Sequence, residues 1–170
     1  MTDLLNVRIA TLADLPLMHP VIERAYRGDS ARQGWTHEAD LLSGERIDDA
    51  TLRAMFADPG HLFLVAEQGG AVMGSVSLTA RGDGLVYLGL LCVDPAAQAG
   101  GIGKAIIAAA ETAARETLDA DRLEMTVIDS RAELIAYYER RGFVRTGERR
   151  PFPAELDPPI GMVVLEKAIA

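Results

Sequence analysis

Gly100, Gly101 and Gly103 fall within a short stretch, preceded by Gln98 and Ala99 and interleaved with Ile102 and Lys104. Glycines this close let the backbone turn sharply and present several N–H groups where a side chain would otherwise obstruct them. Such a turn can hold an anion, and a phosphate-bearing ligand is its natural occupant. Lys104 either adds a charge to the site or sits solvated on a helix while the amides and the helix dipole serve without it.

The neighbouring elements decide whether that cradle is usable. Upstream, Leu85 to Val93 reads as a buried strand ended by Asp94 and Pro95; downstream, Ala105 to Arg115 is rich in alanine and isoleucine and reads as a helix. Leu62 to Glu67, Ala71 to Thr79 and Leu85 to Val93 are strand signals with turns at Gln68 to Gly70 and Arg81 to Gly84. Joints of that length predict an antiparallel meander. Leu5 to Ile9 predicts a first strand, after which Thr11 caps a helix with Leu15, Met18, Ile22, Ala25 and Tyr26 on its buried face. Asp48 to Ala57 predicts a second helix, stopped by Asp58, Pro59 and Gly60. Between them, Gly28 to Gly44 has no clean period and reads as a long surface segment. Toward the C-terminus, Arg122 to Val127 reads as a strand, Arg131 to Arg141 as a helix ended by Gly142, and Met162 to Lys167 as a final strand. Helical crossovers make this half α/β. Pro151 to Pro159 predicts a loop before the last strand.

At 170 residues the chain fits one domain, spanning 1–170, with 49% apolar and 25% charged residues in ordinary globular proportion. Its 17 basic and 25 acidic residues give a net charge of −8, which argues against a nonspecific nucleic-acid partner and makes any phosphate site local. Cys92, the single cysteine, excludes an internal disulfide and a cysteine-based metal site. His19, His37 and His61 have no ligand spacing, so no metal is expected. No apolar run approaches the ~20 residues of a membrane span and no leader is evident, so the expected protein is cytoplasmic, with no membrane partner.

Two nucleotide motifs fail residue by residue. A Walker loop needs glycine and a serine or threonine where Gln98 and Ala105 stand, so the residue that would ligate magnesium is missing. The dinucleotide fingerprint lacks its third glycine and would follow antiparallel strands. What fits is Gln/Arg, two residues, Gly, any residue, Gly/Ala, met by Gln98, Gly101 and Gly103 after the strand ending Leu91, Cys92, Val93. A second block, Tyr138, Glu139, Arg140, Arg141, Gly142, Phe143, matches a tyrosine helix that ends in Gly-Phe before a strand. In these blocks and their order the chain resembles the GCN5-related N-acetyltransferase (GNAT) family over nearly its whole length.

The resemblance implies an α/β (α+β) fold, a mixed and mostly antiparallel twisted sheet flanked by about four helices. It implies that Gln98, Ala99, Gly100, Gly101, Ile102, Gly103 and Lys104 hold the pyrophosphate of acetyl-coenzyme A. The backbone of Leu91, Cys92 and Val93, on a strand that splays open, would meet the pantetheine arm. Tyr138 would be the general acid that protonates the departing thiolate, its phenol pKa of about 10 suiting that task. On its own it reads as a half-buried helix tyrosine with its hydroxyl in water, and Tyr137 as a neighbour facing elsewhere. The family often has asparagine where Arg131 stands and alanine where Leu134 stands; a guanidinium at Arg131 still suits a phosphate.

Amine acetylation also needs a base or a water path, because an alkyl amine has a pKa of about 10.4. The strand before the glycines offers no glutamate, leaving Glu45 and Glu124 as candidates that also read as paired or solvated carboxylates. Cys92 reads as a small buried hydrophobe. Trp35 in the early segment and Arg149 and Arg150 in Thr146 to Pro153 are expected to border the amine acceptor, the arginines pairing with a carboxylate on it; plain surface loops are the competing reading. The function expected is transfer of acetyl to a small-molecule or peptide amine. The alternatives are an acyl-coenzyme A sensor without turnover and an acetyltransferase for protein lysines or N-termini. The fold implied leaves room for a homodimer through the final strand.

Overall fold

The computed structural model describes residues 4–26, 47–152 and 159–170, with residues 98–100 in backbone only. Strands β1 (Asn6–Ile9), β2 (His61–Gln68), β3 (Ala71–Gly82), β4 (Leu85–Val93), β5 (Arg122–Ile128), β6 (Val144–Pro151) and β7 (Gly161–Ala168) form one sheet in the order β1-β2-β3-β4-β5-β7-β6. Every neighbouring pair is antiparallel except β4 and β5. Helices α1 (Leu15–Tyr26), α2 (Asp49–Ala57), α3 (Ile102–Leu118) and α4 (Ala132–Arg140) cover its two faces. The fold is therefore the mixed, mostly antiparallel sheet with four helices that the family resemblance implies.

Side-chain alternation along the strands splits the core in two. Phe63, Val65, Val72 and Cys92 pack under α1 and α2, against Leu15, Met18, Ile22 and Leu52. Leu64, Val76, Leu78, Leu88 and Leu123 face the other way, against Ile106, Ala110 and Ala114 of α3 and Ile135 and Tyr138 of α4. Burial on both faces explains why β2 to β4 read as near-continuous apolar runs.

The helix ends follow their residues. Thr11 and Asp14 form a reciprocal capping box ahead of α1, and the Asp48 carboxylate accepts the Thr51 amide at the start of α2. At the end of α4, Gly142 takes φ 99° and the Phe143 amide reaches back to the Tyr138 carbonyl. Lys167 of β7 donates to the Arg141 carbonyl at 2.7 Å and pairs with Glu111 of α3, fastening that helix end to the sheet.

Two expectations change. Thr146 to Pro153, read as a surface segment, is mostly the edge strand β6, whose residues are nearly all exposed and so carry no apolar alternation. The final strand, expected to be open to a second copy, lies between β5 and β6 and pairs with both. The sheet's outer strands are β1 and β6.

Candidate active site

The site is an opening in the sheet. β4 and β5 pair only from Leu85 to Tyr87 with Arg122 to Glu124, and beyond that the strands part. Past the ladder the Tyr87 hydroxyl and Thr126 Oγ1 still meet at 2.6 Å across the pair. On its other side β4 carries a bulge: Ser77 faces Gly89 and Ser75 faces Cys92, while Leu90 between them takes φ 50°. Leu91, Cys92, Val93, Gly101, Gly103, Lys104, Leu134, Tyr137, Tyr138 and Arg141 line a cleft at this opening.

At one end of the cleft α3 begins. The helix starts at Ile102, earlier than expected, so Gly103 and Lys104 belong to its first turn, where the amides lack partners within the helix. Gly101 precedes it at φ 75°, and a Cβ there would meet nothing within 4 Å. Gly101 is thus glycine for its conformation and leaves open space before a positive helix end. Gly103 is glycine for closeness: a Cβ would come within 3.1 Å of the Tyr137 hydroxyl. Gln98, Ala99 and Gly100 belong to a 3-10 segment, Pro95–Gly100, that leads into the cradle.

α4 supplies the opposite wall. Tyr138 is only 5% exposed, packed edge-on against Phe143 with centroids 6.0 Å apart. Burial pushes its phenol well above the usual range, the neighbouring Tyr137 reinforces the rise and the Arg131 charge opposes it. The hydroxyl therefore keeps its proton throughout the neutral range. Tyr137, expected to face elsewhere, lines the same cleft, its ring centroid 5.5 Å from that of Tyr138. Consecutive helix residues can both border a cleft that runs along the helix flank. Arg141 stacks on Tyr137 with its guanidinium carbon 4.5 Å from the ring centroid, and its buried Nε has no hydrogen-bond partner among the described residues. Sequence reading passed over Arg141, although its spacing of four from Tyr137 places both on one helix flank. Arg131, just before α4, is outside the cleft lining and acts on Tyr138 through its charge.

The remaining candidates among the described residues are engaged elsewhere. Cys92 is fully buried, 3.4 Å from the Ser75 hydroxyl, and burial pushes its thiol up to about 11, so it is a poor nucleophile. Glu124 is 6% exposed and its Oε1 accepts from Arg150 Nη1 at 2.8 Å. Arg150 also holds Glu148 at 2.5 Å, and Arg149 pairs with Asp129 just beyond β5. Trp35 and Glu45 lie outside the described residues. His19 Nε2 contacts the Ile47 carbonyl at 2.7 Å and His61 lies 3.2 Å from Asp58. Among the described residues no three His, Cys, Asp or Glu side chains are grouped to hold a metal, and no helix is long and apolar enough to cross a membrane.

A sequence profile described as the acetyltransferase (GNAT) domain matches residues 29–152. The chain belongs to the GNAT acetyltransferase family. The ribosomal-protein-S18-alanine N-acetyltransferase of Escherichia coli shares the fold with a TM-score of 0.77 at 18% identity, over 98% of this chain and 95% of that one. The structure of yncA from Salmonella typhimurium with its cofactor acetyl-CoA superposes with a TM-score of 0.73 at 20% identity, over 98% and 94% of the two chains. A mycothiol acetyltransferase of Salinispora tropica is 44% identical over 62 residues, 36% of this chain. That match spans 20% of the relative's own length.

Proposed function

We propose that this GNAT chain moves an acetyl group from acetyl-coenzyme A directly to a primary amine of a small molecule or peptide, with Tyr138 as general acid. The observation that carries this reading is the cleft between the parted strands, with a free helix N-terminus at one end and a buried, protonated tyrosine in its wall.

The lining fits such a carrier. The first turn of α3, the open space at Gly101 and the cations Lys104 and Arg141 suit its pyrophosphate, and the Leu91 to Val93 backbone suits its pantetheine arm. Gln98, Ala99, Gly100 and Ile102 contribute backbone to the cradle in this reading. Arg131 holds no cleft position and acts on the tyrosine instead.

Acetyl-coenzyme A supplies the thioester carbon that the amine nitrogen attacks. A C–N bond forms and the C–S bond breaks, its electron pair leaving on sulfur. Tyr138 gives its hydroxyl proton to that sulfur, and the phenolate regains a proton from the one lost by the amine. Arg131 favours the phenolate in between, since its charge acts against the rise in the phenol pKa. With Glu124 tied to Arg150, the amine proton leaves through water.

Arg149 and Arg150 stay proposed as acceptor contacts on the sequence reading; neither lines the cleft, and an acceptor carboxylate would have to displace Asp129 from Arg149 or Glu124 and Glu148 from Arg150. Trp35 remains an acceptor-side proposal from the sequence alone. Thiol release measured with amino acids, polyamines and peptides tests the reading. Tyr138→Phe should lower the rate about 100-fold while acetyl-coenzyme A affinity by calorimetry stays within about 2-fold. Full turnover in that variant would remove Tyr138 from the mechanism.

A further inference from the structure

We infer that Tyr26, the last residue of α1, is a positioning residue for acyl transfer: its hydroxyl fixes the Leu91–Cys92 peptide at the bulge of β4. The inference rests on the acetyl-transfer reading above and adds a residue to it.

The stretch of β4 that lines the cleft is paired on one side only, where β3 holds Cys92 and Val93 opposite Ser75 and Gly74 and leaves Leu90 and Leu91 outside its register. Its pairing with β5 ends at Tyr87, and its register with β3 slips between Gly89 and Cys92. At the slip Leu90 adopts φ 50°, a conformation that costs energy for an L side chain and persists where surrounding contacts impose it.

Those contacts come from α1. The Tyr26 hydroxyl donates to the Leu91 carbonyl at 2.5 Å. Arg24 pairs with Asp94 at 2.8 Å, and the Asp94 carboxylate in turn accepts the Ala96 amide where the chain leaves for the cradle. Cys92 and Leu90 pack into the core beneath α1. One helix end therefore grips β4 on both sides of Cys92 and Val93, from behind the cleft. A peptide is a rigid plane, so fixing the Leu91 carbonyl also fixes the amide it shares with Cys92.

The consequence is a division of labour. Affinity for the cosubstrate comes mainly from the phosphate end, at α3. Alignment of the acyl end depends on the backbone that Tyr26 holds, and a small misalignment there slows the chemical step without releasing the ligand.

Tyr26→Phe removes one oxygen and keeps the ring. It should lower kcat about 10-fold while KM for acetyl-coenzyme A stays within about 2-fold. Amide hydrogen exchange in the unliganded protein should quicken about 10-fold at Leu91 to Val93 and stay unchanged at Leu85 to Leu88. Arg24→Gln, which cuts the second tether at an exposed position, should change the same quantities in the same direction by less. Unaltered exchange at Leu91 to Val93 in Tyr26→Phe, or unaltered kcat, overturns the inference. A wild-type protein that acetylates no amine would instead overturn the acetyl-transfer reading, and the exchange measurement would still decide whether Tyr26 holds the bulge.

Discussion

A proton donor for a departing thiolate must hold its proton at working pH, and Tyr138 does so; burial lifts its phenol above the ordinary value expected from the sequence and makes it a weaker acid, which the Arg131 charge partly offsets. Because the shift is upward, loss of the phenolic proton should not limit the rate below the ordinary phenol pKa of about 10. The pH profile of acyl transfer should therefore show no descending limb from Tyr138 between about pH 7 and 9.5. A limb near neutrality that Tyr138→Phe abolishes would contradict this. Arg141 makes a separate prediction. Arg141 lines the cleft, and its Nε has no hydrogen-bond partner among the described residues, so the guanidinium retains bonding capacity for an anion. Arg141→Ala should raise KM for acetyl-coenzyme A about 10-fold and leave kcat within about 2-fold in steady-state kinetics. Some of these residues announce themselves in the chain, such as the spaced glycines and Tyr138 ahead of Gly142 and Phe143. Tyr26 does not, because its partner Leu91 lies far away in sequence and its own local pattern is that of a core helix residue.

At the scale of elements, the joints hold the site in shape. Gly101→Ala places a Cβ in open space, so its cost is conformational, about 1 kcal/mol of stability from the positive φ. Urea denaturation should show that loss, and calorimetry a weaker grip on acetyl-coenzyme A. The cap ahead of α1 has a pH signature. The Arg8 guanidinium, 2.8 Å away, holds the Asp14 carboxyl down at about 2, below the ordinary 3.8. A depressed carboxyl stabilises the fold above its unfolded pKa and loses that contribution as pH falls through the folded value. Allowing for solvent around Arg8, the contribution is about 1 kcal/mol. Asp14→Asn should lose that amount at pH 7, and the gap to wild type should close between about pH 4 and pH 2. Most elements were legible because they pair or pack locally: the meander from β2 to β4 is set by short turns, and β4 has the bounds its apolar run indicates. The strand β6 was not, since Arg145, Glu148, Arg149 and Arg150 on an exposed edge look like any polar loop.

In the whole molecule, a sheet whose central strands are buried on both faces is opened along one line, and the cleft residues gather there. The sequence indicates the two halves, an antiparallel meander and an α/β part. It does not indicate that β7 inserts between β5 and β6, a pairing of segments distant in the chain. Separately, β4 and β5 are joined only at their beginnings, and the cleft lies where they part. The net charge of −8 also matters at this scale: under the proposed function, an anionic cosubstrate is held against the overall field by local amides and the cations Lys104 and Arg141. The most direct test is an amide NMR titration of the purified chain with acetyl-coenzyme A. The account predicts saturable shifts concentrated at Leu91 to Val93, Gly101 to Lys104 and the Tyr137–Tyr138 pair, all with one dissociation constant. Saturable binding that leaves those amides unmoved, or no binding at millimolar ligand, would contradict it.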